Sequence, residues 1–223
     1  MALTLAFDVY GTLIDTSGVT EVLRQHVGDQ AGAFAQLWRA KQLEYSFRRG
    51  LMRYYEPFTV CTENALDYTC AAFATELSDA DKARLMAEYR LLPAFSEVNE
   101  GLQALQAADH RMYAFSNGYP HDVENLLRNA NIHHYFIDVI SVHEVQSFKP
   151  DPAVYQYFLQ CAGAQPDEAW LISSNPFDVI GAINVGMQAA WVKRSPDALF
   201  DPWGIQPTVI VSGLTELPSV ITA

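Results

Sequence analysis

From residue 96 to the C-terminus the chain alternates short apolar runs with segments of helical spacing, and few folds accept that pattern. Apolar runs at 111–115, 136–142, 169–172, 189–192 and 208–211 are separated by helical segments at 121–130, 151–161 and 177–185. Alternation at these lengths predicts βαβ units with right-handed crossovers and a parallel sheet. One further strand stands at the beginning. In Leu3-Thr-Leu-Ala-Phe-Asp-Val-Tyr-Gly-Thr-Leu13, an almost unbroken apolar run ends at Asp8, which suits a strand covered on both faces. Gly11 then ends the run and lets backbone come close to whatever lies at the strand's end.

Between the first strand and this alternating region, about eighty residues keep helical spacing with no strand among them. The pattern predicts helices at 17–27, 31–50, 60–75 and 79–91. In the second, Phe34, Leu37, Trp38, Lys41 and Tyr45 recur every three or four residues and define an amphipathic face. Pro93 closes the segment, and Ser96, Asn99 and Glu100 predict a capped helix start. The expected division is a core of 1–14 plus 95–223 with a helical insertion at 15–94.

Composition narrows the function. A net charge of -12 argues against nucleic acid, which needs clustered Lys and Arg. A small anion is still acceptable, because a few cations and backbone amides hold one regardless of overall charge. Cys61, Cys70 and Cys161 are odd in number and lack CxxC spacing, so neither a disulfide framework nor a zinc site is expected, and a reducing cytoplasm is the simplest setting. No run approaches membrane-spanning length, and no leader pattern precedes the first strand.

Polar residues collect where the strands end: Asp8, then Ser116-Asn117-Gly118, then Lys149-Pro150, then Ser173-Ser174-Asn175 with Asp178. Each group alone reads as a turn or a helix cap. In a doubly wound sheet, however, the C-terminal strand ends converge on one crevice, so residues far apart in sequence are expected to share one site.

The ordered motifs Asp-x-x-Gly-Thr-Leu, Ser-Asn-Gly, Lys-Pro-Asp-Pro and Ser-Ser-Asn-x-x-Asp resemble the haloacid dehalogenase superfamily, and within it the L-2-haloacid dehalogenases. The resemblance spans essentially the whole chain. It implies an α/β fold with a Rossmann-like three-layer core and an inserted helical cap. Superfamily phosphatases carry a second Asp two residues after the nucleophile and an acidic magnesium ligand; here those positions are Tyr10 and Ser174, which weakens any magnesium site. The cap segment Trp38-Arg39-Ala40-Lys41-Gln42-Leu43-Glu44-Tyr45 also resembles the dehalogenase cap, in which an Arg reaches over the nucleophile.

The resemblance implies the following chemistry. Asp8 attacks C2 of an L-2-haloacid and forms an ester with inversion; no acid is needed, because halide leaves as a stable anion. Arg39 and Asn117 hold the halide, and Lys149 keeps Asp8 ionised. Ser116 and backbone amides near Val9 and Thr12 grip the substrate carboxylate. Asp178 activates the water that cleaves the ester, with Ser173, Asn175, Tyr155 and Lys149 shaping the network. Tyr10, Leu43, Phe58 and Phe177 form an apolar wall. No metal or organic cofactor is expected, the partner is a small 2-haloacid, and a cytoplasmic homodimer is expected. A magnesium-dependent phosphatase and a non-catalytic binding protein are the alternatives.

Overall fold

The computed structural model describes residues 2–221. Strand β1 (Thr4–Phe7) is followed by five helices, α1 (Gly18–Val27), α2 (Ala31–Met52), α3 (Phe58–Ala72), α4 (Asp79–Glu88) and α5 (Val98–Ala107). Alternation then begins: β2 (Arg111–Ser116), α6 (Pro120–Asn129), β3 (Asp138–Ser141), α7 (Pro152–Ala162), β4 (Ala169–Ser173), α8 (Pro176–Asn184), β5 (Gln188–Val192), β6 (Val209–Val211) and α9 (Leu217–Val220). All six strands pair in parallel, in the order β3-β2-β1-β4-β5-β6.

The strand sequences account for this order. β1 and β4 are buried at every position and lie at the centre, whereas β3 and β6 each keep an exposed residue and lie at the edges. Along β1 the side chains alternate between layers. Leu5 and Phe7 join one core with Val98, Leu102, Val123 and Leu126, while Ala6 joins another with Val154, Phe158, Val179 and Ala182. Helices α5 and α6 therefore cover one face of the sheet and α7 and α8 the other, which makes three layers.

Several expectations shift. The run at 136–142 narrows to β3 because residues 133–135 form a 3-10 turn that leads into it. Neither Ser96 nor Asn99 caps α5: Glu97 holds the cap position without a side-chain bond, and Asn99 instead accepts from the Tyr135 hydroxyl at 2.8 Å. The helix expected at 60–75 starts at Phe58 and ends at Ala72. On α2 the buried stripe is Ala31, Phe34, Trp38, Gln42 and Ser46, so Leu37, Lys41 and Tyr45 flank it and its far end is polar. Hydrophobicity alone does not show which polar residue a neighbouring helix will satisfy. Helices α1–α4 pack on one another, and their buried Phe34, Trp38, Leu66 and Leu85 are continuous with the β1 core.

Candidate active site

Helix starts position the site. Short loops after β2 and β4 run into Pro120 and Pro176, and a longer connection after β3, with a 3-10 turn at Val142–Val145, runs into Pro152; each proline lies in the first turn of its helix, where a missing N–H is harmless. The polar residues just before these prolines are thereby held at the sheet edge. Register supplies the rest. Phe7 pairs with Ile172, the Asp8 amide donates to the Ile172 carbonyl at 3.0 Å, and Asp8 and Ser173 thus face each other where the strand order reverses.

Asp8 is buried, at 7% exposure. Its two carboxylate oxygens have unequal surroundings. Among the described residues, Oδ2 accepts from the Thr12 hydroxyl (2.9 Å), Asn175 Nδ2 (2.8 Å) and the Ser173 hydroxyl (3.3 Å), whereas Oδ1 accepts only from Lys149 Nζ (3.2 Å). The Lys149 ammonium is fully committed, donating also to Asp178 Oδ2 and the Phe115 carbonyl, both at 2.9 Å. Burial alone would push Lys149 down, but Asp178 and Asp8 outweigh it and hold the ammonium above its ordinary value. Asp178 is held above the usual carboxylate range by burial, with Lys149 opposing.

Tyr155 donates to Asp178 Oδ1 at 2.7 Å, and its ring is completely buried. Burial and the adjacent Asp178 hold its phenol well above the usual tyrosine value, so it is a donor throughout the neutral range. The ring lies so close to α8 that a Cβ at Gly181 would stand 2.7 Å from its carbons. Only glycine leaves that room. The loop after Asp8 turns at Gly11, with φ +82, and Thr12 accepts from the Ser174 amide at 2.8 Å while the Ser174 hydroxyl donates to the Gly11 carbonyl at 2.8 Å. Arg194 braces the same loop by donating to the Thr12 carbonyl. Ser174 is expected at this strand end but without a role, and nothing in the local sequence around Arg194 marks it.

Ser116 and Asn117 are buried and make local bonds. The Ser116 hydroxyl accepts from the Gly118 amide (3.0 Å) and Asn117 Oδ1 from the Lys149 amide (3.0 Å), which leaves the Asn117 amide group uncommitted. Val9 is wholly buried, and its carbonyl caps the turn at Thr12, Leu13 and Ile14.

Above this cluster a cavity of about 580 Å³ is walled by Tyr10, Arg39, Phe58, Tyr89, Gly118 and Tyr119, among others. Leu43 and Phe177 are not in its lining; Phe177 instead packs edge-on against Phe47 at 5.1 Å. Their expected places in the wall are filled by Tyr89, which reaches in from just beyond α4, and by Gln42 and Thr62. Burial raises the phenols of Tyr10 and Tyr89, the latter to about 12, so both are neutral at physiological pH. Two cations line the cavity, Arg39 and Arg90, and Arg90 is paired with Asp122. Burial pushes the Arg39 guanidinium down, with Tyr89, Asp8 and Tyr10 opposing, yet an arginine still keeps its charge. Among the described residues no carboxylate pairs with Arg39; its Nη1 donates at 2.6 Å to Gln42 Oε1.

An α/β sheet with a buried, lysine-paired aspartate at its switch point, beside helices whose Arg39 lines a cavity and has no carboxylate partner among the described residues, defines an aspartate-centred site. The chain belongs to the haloacid dehalogenase-like hydrolase family, whose model matches residues 3–186. It is 35% identical over 217 residues to (S)-2-haloacid dehalogenase 2 of Pseudomonas sp. strain CBS-3, covering 97% of this chain and 94% of that one. It is also 35% identical to haloacetate dehalogenase H-2 of Moraxella sp. strain B, covering 97% and 96% of the two chains. Among solved structures, L-2-haloacid dehalogenase from Xanthobacter autotrophicus with chloropropionic acid covalently bound superposes with a TM-score of 0.91 at 30% identity, covering 98% of each chain.

Proposed function

We propose that this protein hydrolyses short L-2-haloalkanoic acids to D-2-hydroxyacids and halide, through an ester on Asp8 and without a metal. The observation that carries the reading is the pairing of a buried, Lys149-held carboxylate with an arginine that, among the described residues, has no carboxylate partner. The first is a nucleophile and the second is an anion site. Curated relatives named for this activity match over nearly the whole chain.

Asp8 Oδ1 attacks, because it has a single partner while three donors occupy Oδ2. Its new bond to C2 forms as the carbon–halide bond breaks, and the halide leaves with the electron pair toward Arg39 and the Asn117 amide. Ser116 with the amides of Val9 and Tyr10 receives the substrate carboxylate; the Gly11 and Thr12 amides, also expected there, are bonded to the Ile14 and Val9 carbonyls. Water then attacks Cγ of Asp8. The oxygen that gains negative charge in this step is Oδ2, where Thr12, Ser173 and Asn175 already donate, so the donors of the resting carboxylate serve as an oxyanion hole. Asp178, whose proton affinity burial raises, takes one proton from the water. The Cγ–Oδ1 bond then breaks, the departing alkoxide takes that proton from Asp178 and leaves as the hydroxyacid, and the water's second proton is released as the Asp8 carboxylate is restored with the water's oxygen.

In this reading residues 15–94 act as a cap over the core of 1–14 and 95–223, and Tyr10 and Ser174 leave magnesium few hard ligands. A cytoplasmic homodimer fits three free cysteines and the exposed Leu51, Met52 and Tyr54 near the end of α2, and light scattering tests the dimer. The deciding assay is halide release from L- and D-2-chloropropionate with chelator present, run beside p-nitrophenyl phosphate with magnesium. Halide from the L isomer alone is expected; magnesium-dependent phosphate release without halide would overturn the reading.

A further inference from the structure

Arg39 is held by an unusual partner. We infer that Gln42 and Thr62 are positioning residues that fix the Arg39 guanidinium over the cavity while leaving its charge unneutralised, an inference that rests on the halide-holding role proposed for Arg39. Gln42 is 2% exposed and Thr62 4%, so neither bond in the chain is a surface accident. The hydrogen bonds run in one direction only. The Thr62 hydroxyl donates to the Phe58 carbonyl at 2.9 Å, which leaves its oxygen as an acceptor; Gln42 Nε2 donates to that oxygen at 2.6 Å; Gln42 Oε1 is thereby turned toward Arg39 Nη1 at 2.6 Å. Trp38 ties the same stretch down by donating to the Thr62 carbonyl at 2.9 Å.

Amide chemistry explains why this position is Gln. A Glu would form a salt bridge and cancel the field that an arriving anion meets, while an apolar residue would let a long, flexible side chain wander. An amide carbonyl directs the guanidinium and adds no charge. Thr62 is needed because a primary amide otherwise presents either end.

The test compares the full-length protein with Gln42→Glu, Thr62→Val, Thr62→Ser and Arg39→Ala, in L-2-chloropropionate turnover and in chloride binding read by chlorine-NMR line broadening. The second readout needs no turnover, so it stands even if no 2-haloacid is a substrate. Gln42→Glu is expected to lower kcat about 100-fold, the scale for losing one group that stabilises developing charge, and to weaken chloride binding as far as Arg39→Ala does, with an unchanged thermal midpoint. Thr62→Val is expected to cost about tenfold in kcat, a milder misplacement, with Thr62→Ser restoring it. Wild-type chloride binding in Gln42→Glu would overturn the inference, as would losses that merely follow the thermal midpoint. Unchanged chloride binding in Arg39→Ala would remove the role of Arg39 and this inference with it; absent halide release with intact, Arg39-dependent chloride binding would count against the proposed reaction alone.

Discussion

The two halves of the site hold their cations by opposite means. At the sheet edge, Lys149 is buried against two carboxylates and a carbonyl, and every proton it can donate is used. On the helical side, Arg39 has an amide carbonyl and neutral phenols around it, and it lines a cavity. A buried charge matched by charges is fixed and silent toward ligands, because its field ends on its partners. A charge fixed by a neutral group keeps its field. The first arrangement suits a group that must keep a nucleophile ionised and aimed; the second suits a group that must receive an anion.

The largest effect is expected at Asp8, the proposed nucleophile. Asp8→Asn keeps the volume and three of the hydrogen-bonded neighbours but removes the attacking charge, and halide release is expected to fall by roughly 10⁴-fold or more, as for other covalent nucleophiles. Initial-rate halide assays check it, with circular dichroism to show a retained fold. Turnover within tenfold of the wild type would mean that the sheet-edge cluster is not where the reaction begins.

Lys149→Met tests the matched half directly. Removing the cation leaves Asp8 and Asp178 buried without compensation, and about 3–5 kcal/mol of stability is expected to be lost at neutral pH, measured by urea unfolding. The sign with pH follows from Asp178. Its folded pKa lies above its unfolded value, so folding takes up a proton between the two, and stability rises as the pH falls through that window. Lys149 opposes the raising of the Asp178 pKa, so its removal lifts that pKa further in the variant, and the deficit of Lys149→Met shrinks toward acid pH. In the wild-type protein Lys149 gives the complementary trend, its stabilisation complete below the ordinary lysine pKa and lost as the pH climbs through the raised one.

These two halves also differ in how far they could be read in the sequence. The sheet edge was legible because strand ends announce themselves: an apolar run, a polar residue, and a proline that begins the next helix. Lys149, Ser173 and Asn175 fall in that grammar, Asp8 ends an apolar run with no proline after it, Asp178 lies in the first turn that Pro176 opens, and the structure brings all five together. Tyr155 lies outside that grammar, since its place depends on Gly181 of a different helix leaving it room. The cap was harder. Arg39 came from resemblance alone, and Gln42 and Thr62 meet across two helices, which no periodicity records. Leu43 and Phe177 were sensible apolar candidates, but which of several hydrophobic residues turns toward a cavity is decided by packing, here by Phe47.

Tyr155→Phe separates chemistry from holding. It deletes the 2.7 Å bond to Asp178 without changing the ring, and a hydrogen bond to a charged group is worth about 1.5–3 kcal/mol. Because the tyrosine touches Asp178 rather than Asp8, ester breakdown is expected to slow more than ester formation. Rapid-quench experiments should show a burst of halide ahead of hydroxyacid. Equal slowing of both steps would assign Tyr155 to packing.

The smallest expected effect lies where the two halves meet in the open. Arg90, just after α4, reaches Asp122 in the first turn of α6 at 3.4 Å, with side chains 56% and 24% exposed. Here charge again meets charge, as at Lys149, but water shares the site and salt screens it, so the geometry alone gives little. Arg90→Ala is expected to change stability by less than about 1 kcal/mol, and that difference should vanish in molar salt. Both residues line the cavity, so KM for the haloacid is the more sensitive readout. If removing this exposed pair costs as much as removing Lys149, burial is not what distinguishes the two halves, and the contrast between a matched and an unmatched cation loses its physical basis.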